Sequence, residues 1–202
     1  MQKFFKDGRP QNGMTYEEYR DLFVKQIEKT NPDTLDEKQK GLYEYKKLNL
    51  QRSRRIEKSY RPSDEIKRAV EAMKEKQLWM VITEPWCGDS AQNLPYIAKI
   101  SGLNGNIDLR IVLRDSNPDI MDEYLTNGTR SIPKLVAFNS EGDELFTWGS
   151  RPKAAQELVL KLREEGIVKP ELYEKLHLWY GRNKGRDLES EFTEILQKAE
   201  MS

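Results

Sequence analysis

Cys87 is the residue of this sequence best placed to do chemistry. It is the only cysteine in 202 residues. It stands between Leu78-Trp79-Met80-Val81-Ile82-Thr83, an apolar run that reads as a strand, and a helical stretch that begins near Asp89. Unpaired amides and the helix dipole favour an anion at such a helix start. A thiolate is an anion, so the placement predicts a thiol pKa below the free value of about 8.5. The thiolate is also the nucleophile of disulfide exchange, and ligands of open α/β sheets gather at the carboxyl ends of strands. The same position equally suits a small, buried and inert cysteine.

The other reactive side chains form no comparable cluster. His177 is the only histidine, and its neighbours Trp179 and Tyr180 suggest packing on a helix. No Cys–His pair has the spacing of a zinc site, so no metal is expected. Nothing in the sequence draws Cys87 and His177 together as a Cys–His hydrolase would need. Neither Gly-x-Gly-x-x-Gly nor a Walker loop is present, so no cofactor is expected. Arg52, Arg54, Arg55, Lys58 and Arg61 cluster beside Pro62. Interleaved with Glu57, they read as a solvated helix face rather than a site for nucleic acid or an acidic partner.

Holding Cys87 in place takes a sheet and helices, and the residue patterns supply both. Residues 15–30 read as a helix, with Tyr16, Tyr19, Phe23 and Ile27 on one face. Thr15 and Glu18 form a capping box, and Asn31-Pro32 ends the helix. Residues 34–60 are helical again, with Gly41 weakening the middle, and Ser63 caps a third helix to about Lys76. Residues 89–101 follow Cys87 as a helix with a kink expected at Pro95. Ile107 to Leu113 alternates as a second strand. Asn117 caps a short helix opened by Pro118 and closed by Asn127-Gly128. Lys134 to Asn139 and Glu144 to Trp148 are strands joined through Ser140-Glu141-Gly142-Asp143 into an antiparallel hairpin. Arg151-Pro152 opens a helix to about Glu165, and two more are expected around Pro170–Tyr180 and Arg186–Ala199. The order αβαβαββα over 63–165 predicts an α/β fold, a central mixed sheet of about four strands flanked by helices, with extra N- and C-terminal helices.

Composition narrows the class. Lys+Arg and Asp+Glu number 34 each, so there is no basic excess and nucleic acid is not an expected partner. No window approaches the roughly 18 apolar residues of a membrane span, so no membrane partner is expected. Residues 1–10 carry Lys3, Lys6, Asp7 and Arg9 without an apolar stretch, and are not expected to act as a secretory signal. One cysteine forbids an intramolecular disulfide, and a cytoplasmic address is expected. The hydrophobic fraction is 37% and the charged fraction 34%, which leaves a modest core. The apolar stripes of the flanking helices, with Tyr16, Tyr19, Phe23, Leu172, Leu176 and Trp179, are therefore expected to pack on the central unit. A homodimer surface is their other use. The expected division is a helical extension over 1–62 packed on the core, a central domain over 63–166 and a second helical extension over 167–202.

The residues around Cys87 add a resemblance. Glu84-Pro85-Trp86-Cys87-Gly88-Asp89-Ser90 resembles the Trp-Cys-Gly-Pro-Cys motif of the thioredoxin family. Ser131-Ile132-Pro133-Lys134-Leu135-Val136 is similar to the family's Ile-Pro pair before a strand, whose proline is cis. Trp148-Gly149 and the helix after it fit the closing hairpin and helix. The resemblance spans about half the chain, roughly 63–165. It implies a thioredoxin-like fold, a cis Ile132-Pro133 bond beside the reactive sulfur, and a substrate groove formed by Trp86, Gly88, Asp89, Ile132 and Pro133. Arg130, three residues earlier, would then lie near the groove and could hold a carboxylate.

Three departures shape the activity the resemblance implies. Ser90 replaces the resolving cysteine, so a dithiol cycle is unavailable, although its hydroxyl could donate to a Cys87 thiolate and lower its pKa. Asp89 replaces proline and puts a charge near the sulfur. Val81 and Ile111 stand where the family's buried aspartate and its lysine would be. The expected function is monothiol thiol–disulfide exchange, with Cys87 as nucleophile and Ser90 as its donor. The substrate would be a protein or a low-molecular-weight thiol disulfide, released by an external thiol. A redox-silent thioredoxin-fold interaction module is the alternative reading. Cys-Gly-Asp-Ser also resembles the Cys-Gly-Phe-Ser of monothiol glutaredoxins, which implies an iron–sulfur cluster carrier as a lesser alternative.

Overall fold

The computed structural model describes residues 2–200. A short hairpin opens the chain, β1 (Phe5–Lys6) against β2 (Arg9–Pro10). Helices α1 (Tyr16–Glu28), α2 (Glu37–Ser59) and α3 (Asp64–Ala72) follow. Then come β3 (Gln77–Thr83), α4 (Gly88–Ser101), β4 (Ile107–Leu113), α5 (Pro118–Glu123), β5 (Lys134–Phe138) and β6 (Glu144–Gly149). Helices α6 (Lys153–Glu164), α7 (Lys169–Asn183) and α8 (Arg186–Glu200) complete it.

The main sheet has the order β4-β3-β5-β6. Strands β3 and β4 are parallel, while β5 runs antiparallel to both β3 and β6. The expected mixed sheet of four strands is present, and β3 lies inside it. Alternation along β3 divides the core. Trp79 and Val81 face a cluster with Tyr19, Ile56, Ile66, Ile97 and Phe192, drawn from α1, α2, α3, α4 and α8. Met80 and Ile82 face the other way, onto Phe4, Val112, Met121, Ile132 and Cys87. A third cluster joins α6 to α7 through Val159, Leu162, Leu172 and Leu176. Helices α1, α2 and α8 thus share the core of the sheet, while α7 packs on α6.

Local chemistry explains most boundaries. Thr15 and Glu18 make the expected capping box on α1, and Asp36 with Gln39 makes another on α2. Gly41 does not interrupt α2. Asp7 and Gly8 both take positive φ, +52° and +76°, the pattern of a tight two-residue hairpin turn. That hairpin lies outside the elements read from the sequence, although Asp-Gly is its signal.

Helix α4 runs through Pro95. Pro95 has no N–H to offer the Ala91 carbonyl, which accepts instead from Ser53 Oγ of α2 at 3.3 Å. One expectation is corrected. Asn117 precedes α5 but makes no side-chain cap. Its amide donates to the Leu113 carbonyl at 2.7 Å and its oxygen accepts from Asn12 at 3.0 Å, tying the end of β4 to the N-terminal loop.

Candidate functional site around Cys87

Cys87 caps α4 directly after the loop that leaves β3. Its amide donates to the Glu84 carbonyl at 3.0 Å, a turn that fixes the cysteine at the helix start. The Ser90 amide points at the sulfur from 3.4 Å, and the thiol donates to the Ile132 carbonyl at 3.3 Å. The Ile132-Pro133 bond is cis, as the resemblance implied. The sulfur is therefore held between a helix N-terminus and the carbonyl before Pro133.

The thiol pKa departs from expectation in sign. Cys87 is only 8% exposed. Burial pushes its pKa up to about 11, the nearby Asp89 charge adds to the rise, and the Ser90 side chain with the Ser90 and Asp89 amides offsets only part of it. Desolvation opposes the charged form, and here it outweighs the helix dipole. The resting sulfur is a protonated thiol. Ser90 Oγ is buried and makes no other hydrogen bond, so its hydroxyl is free to turn to the sulfur beside the Ser90 amide, and both oppose the rise of the thiol pKa.

Asp89 is bound from several sides. Tyr180 donates to its Oδ1 at 2.6 Å, and Arg151 pairs with its Oδ2. Asn93 Nδ2 joins the Asp89 carbonyl at 2.8 Å to the Tyr180 hydroxyl at 3.1 Å. The carboxylate thus links the start of α4 to the C-terminal part of the chain. A paired buried charge is satisfied, whereas an unpaired one is costly.

Arg130 is paired within the chain. Its guanidinium grips Asp122 by two bonds, of 2.7 and 2.6 Å, at the exposed surface. That fork is already matched to a carboxylate of the chain itself. Trp86 stays partly exposed. Its Nε1 donates to Asp115 at 3.2 Å, and the Arg114 guanidinium covers its ring at 4.5 Å.

The structure adds two residues that the sequence reading left apart from Cys87. A cavity of about 290 Å³ opens on Trp86, Cys87, Gly88 and Asp89, and Tyr45 and His177 form its opposite wall. The two come from α2 and α7, far apart in sequence, and they meet over Gly88. A Cβ on Gly88 would stand 3.0 Å from the His177 ring and closer still to the Tyr45 hydroxyl. Tyr45 Oη and His177 Nε2 are 3.2 Å apart, and Gln92 Nε2 is 3.2 Å from Nδ1. Burial, aided by the Arg52 charge, lowers the His177 pKa to about 3. The imidazole is neutral and both nitrogens are engaged, so it forms a wall of the cavity. Bare glycine at position 88 was the one sequence signal of this close approach. Among the described residues no group of three or more histidine, cysteine or acidic side chains is placed to hold a metal ion. Among those residues, too, no helix is long and apolar enough to cross a membrane.

A four-stranded mixed sheet, a cysteine capping the helix after an interior strand, and a cis-proline facing that cysteine define a thioredoxin-fold protein. The family model described as thioredoxin matches residues 36–166, and the chain belongs to that family. No curated protein matches it. A crystal structure of a protein of unknown function from Pseudomonas aeruginosa is similar over 92% of this chain and 99% of that one, with a TM-score of 0.54 and 17% identity. The crystal structure of an HIV epitope-scaffold is similar over the same shares, with a TM-score of 0.52 and 17% identity. At such identity the likeness concerns the fold alone.

Proposed function

We propose that the protein carries out monothiol thiol–disulfide exchange at Cys87. The observation that supports this reading best is the cavity of about 290 Å³ that reaches the sulfur at the start of α4, opposite the carbonyl before Pro133. A disulfide entering the cavity would meet the sulfur with the α4 amides behind it. Cys87 gives its proton to solvent, and its thiolate attacks one sulfur of the substrate disulfide. The substrate S–S bond breaks, the departing thiolate takes up a proton, and Cys87 is left in a mixed disulfide. Ser90 cannot resolve it, because a hydroxyl has no sulfur to offer. An external thiol attacks the substrate sulfur, forms a new disulfide with it and releases Cys87. A reducing, cytoplasmic compartment would supply that thiol.

With a pKa of about 11, on the order of one sulfur in ten thousand is ionised at pH 7. Exchange is accordingly slow in the closed state and gains from any movement of Tyr45 and His177 that admits water or substrate. The same high pKa favours a second reading, a thioredoxin-fold interaction module in which Cys87 is a packing residue. Incubation of native protein with a small aromatic disulfide separates them. Exchange gives one mixed disulfide per chain, absent in Cys87→Ser and reversed by added thiol. The interaction module gives none until the protein is unfolded.

A further inference from the structure

A second cavity, of about 560 Å³, lies where the end of α2, the start of α3 and the α7–α8 turn meet Tyr96 of α4. Its wall carries Arg55, Arg61, Lys184 and Arg186 against a single acid, Glu189. Both oxygens of that acid are already used. Tyr60 donates to one, and the Ser63 amide donates to the other at 3.1 Å. Among the described residues none of the four cations joins an ion pair within the chain, whereas Arg151, Arg130 and Arg114 each do. In a chain with 34 cations and 34 acids, four positive charges against one acid around one concavity are a local excess of three.

The chain holds two of these charges in place. Arg61 Nη1 donates to the carbonyls of Lys58 and Tyr60 at 3.0 and 2.8 Å. Arg186 Nε donates to the Asn183 carbonyl at 3.1 Å. Each guanidinium keeps further N–H groups for another acceptor. Lys184 takes the left-handed conformation at φ +54°, and Gly185 follows at φ +82°. A Cβ on Gly185 would stand within 2.7 Å of the Tyr96 ring. Glycine is thus what lets the turn press on the ring and bring Lys184 and Arg186 to the cavity. Arg55 acts electrostatically on Tyr96 from the α2 side.

We infer that this cavity binds a small molecule with at least two anionic groups, phosphate or carboxylate, independently of the chemistry at Cys87. Its volume is that of a small-ligand site. Guanidinium forks suit either anion, while the Tyr60 and Tyr96 rings offer an apolar wall. Of the sequence features, the basic cluster beside Pro62 points here. It reads as a solvated helix face along α2, but Arg55 and Arg61 meet two more cations from the far end of the chain.

Titration calorimetry of the full chain with inorganic diphosphate, and separately with citrate, tests the inference at near-physiological salt. Saturable binding of one equivalent of either probe, at least tenfold weaker in Arg55→Ala/Lys184→Ala, is expected, and the tighter probe gives the anion class. Lys38→Ala/Arg54→Ala removes the same charge from exposed α2 positions outside the cavity and should leave affinity within about twofold. Circular dichroism checks that both double variants fold. Absence of saturation with both probes overturns the inference. So does equal weakening by the two pairs of substitutions, which would mean attraction to overall charge.

Discussion

Tyr180 donates a hydrogen bond of 2.6 Å to Asp89, tying α7 to the second residue of the helix that Cys87 caps. Arg151 holds the same carboxylate from its other oxygen. The acid whose charge helps raise the thiol pKa is thus fixed by the C-terminal part of the chain. The departure from the family motif at position 89 and the added helix α7 are two parts of one arrangement. Asp89 takes the place of proline, and α7 supplies its partner.

Tyr180→Phe removes that donor and leaves a buried carboxylate short of one bond. A charged hydrogen bond of this kind contributes about 2 kcal/mol. Urea unfolding of the variant should show a loss of that size, with the m-value unchanged. Equal stability would mean that Asp89 draws nothing from Tyr180.

Gly88→Ala puts a methyl group where the Tyr45 hydroxyl and His177 ring now stand. Both obstacles are side-chain ends that can move, so the fold should survive at a cost of about 1 kcal/mol. The cavity wall should be pushed outward, and iodoacetamide should label Cys87 several-fold faster at pH 8 than in the parent. An unchanged rate would mean that Tyr45 and His177 do not control access to the sulfur.

His177 makes stability fall on the acid side. The folded pKa is lowered to about 3 from an ordinary 6.5, so the unfolded chain takes up a proton first as pH falls. Stability that is complete above about pH 6.5 is lost progressively toward pH 3. Between pH 7 and 4, His177→Gln should lose about 3 kcal/mol less than the parent, as read from urea midpoints at each pH. Parallel acid limbs in the two proteins would contradict a buried neutral imidazole.

Gly149, at φ +122°, is where the β6 backbone presses on Pro133. A Cβ there would lie 2.1 Å from the Pro133 carbonyl oxygen, and backbone atoms surround it. Neither side can yield as a side-chain end can. Gly149→Ala should cost about 3 kcal/mol or more in urea unfolding. It should also change the Cys87 labelling rate, because Pro133 adjoins Ile132, whose carbonyl accepts from the sulfur. A variant as stable as the parent would contradict the close approach.

What the sequence disclosed follows from the range of each interaction. The Leu78–Thr83 run, the alternation of Ile107–Leu113 and the turn Ser140–Asp143 are local patterns, and the sheet they encode is present. Trp86-Cys87-Gly88 and Ile132-Pro133, picked out by resemblance, lie side by side, with the sulfur donating to the Ile132 carbonyl. The partners of those residues were not legible. Asp122 lies only eight positions before Arg130, yet no rule of pattern says that the two will pair. Tyr45 and His177 reach Gly88 from helices on opposite sides of the motif, and Asp89 meets Arg151 and Tyr180 across similar distances in sequence. The sign of the Cys87 pKa shift was lost for the same reason. A helix dipole can be read from local sequence, while desolvation depends on everything that closes over the sulfur.

The central claim is that a buried, protonated Cys87 still exchanges with disulfides that reach its cavity. The most direct measurement is mixed-disulfide formation in native protein with a small aromatic disulfide, followed by mass spectrometry across pH 6–11. The account predicts one adduct per chain, at Cys87 only, reversed by an external thiol. Its rate should climb with pH and approach a plateau only near the thiol pKa of about 11. A native protein that stays unmodified throughout, and reacts only once unfolded, would contradict it.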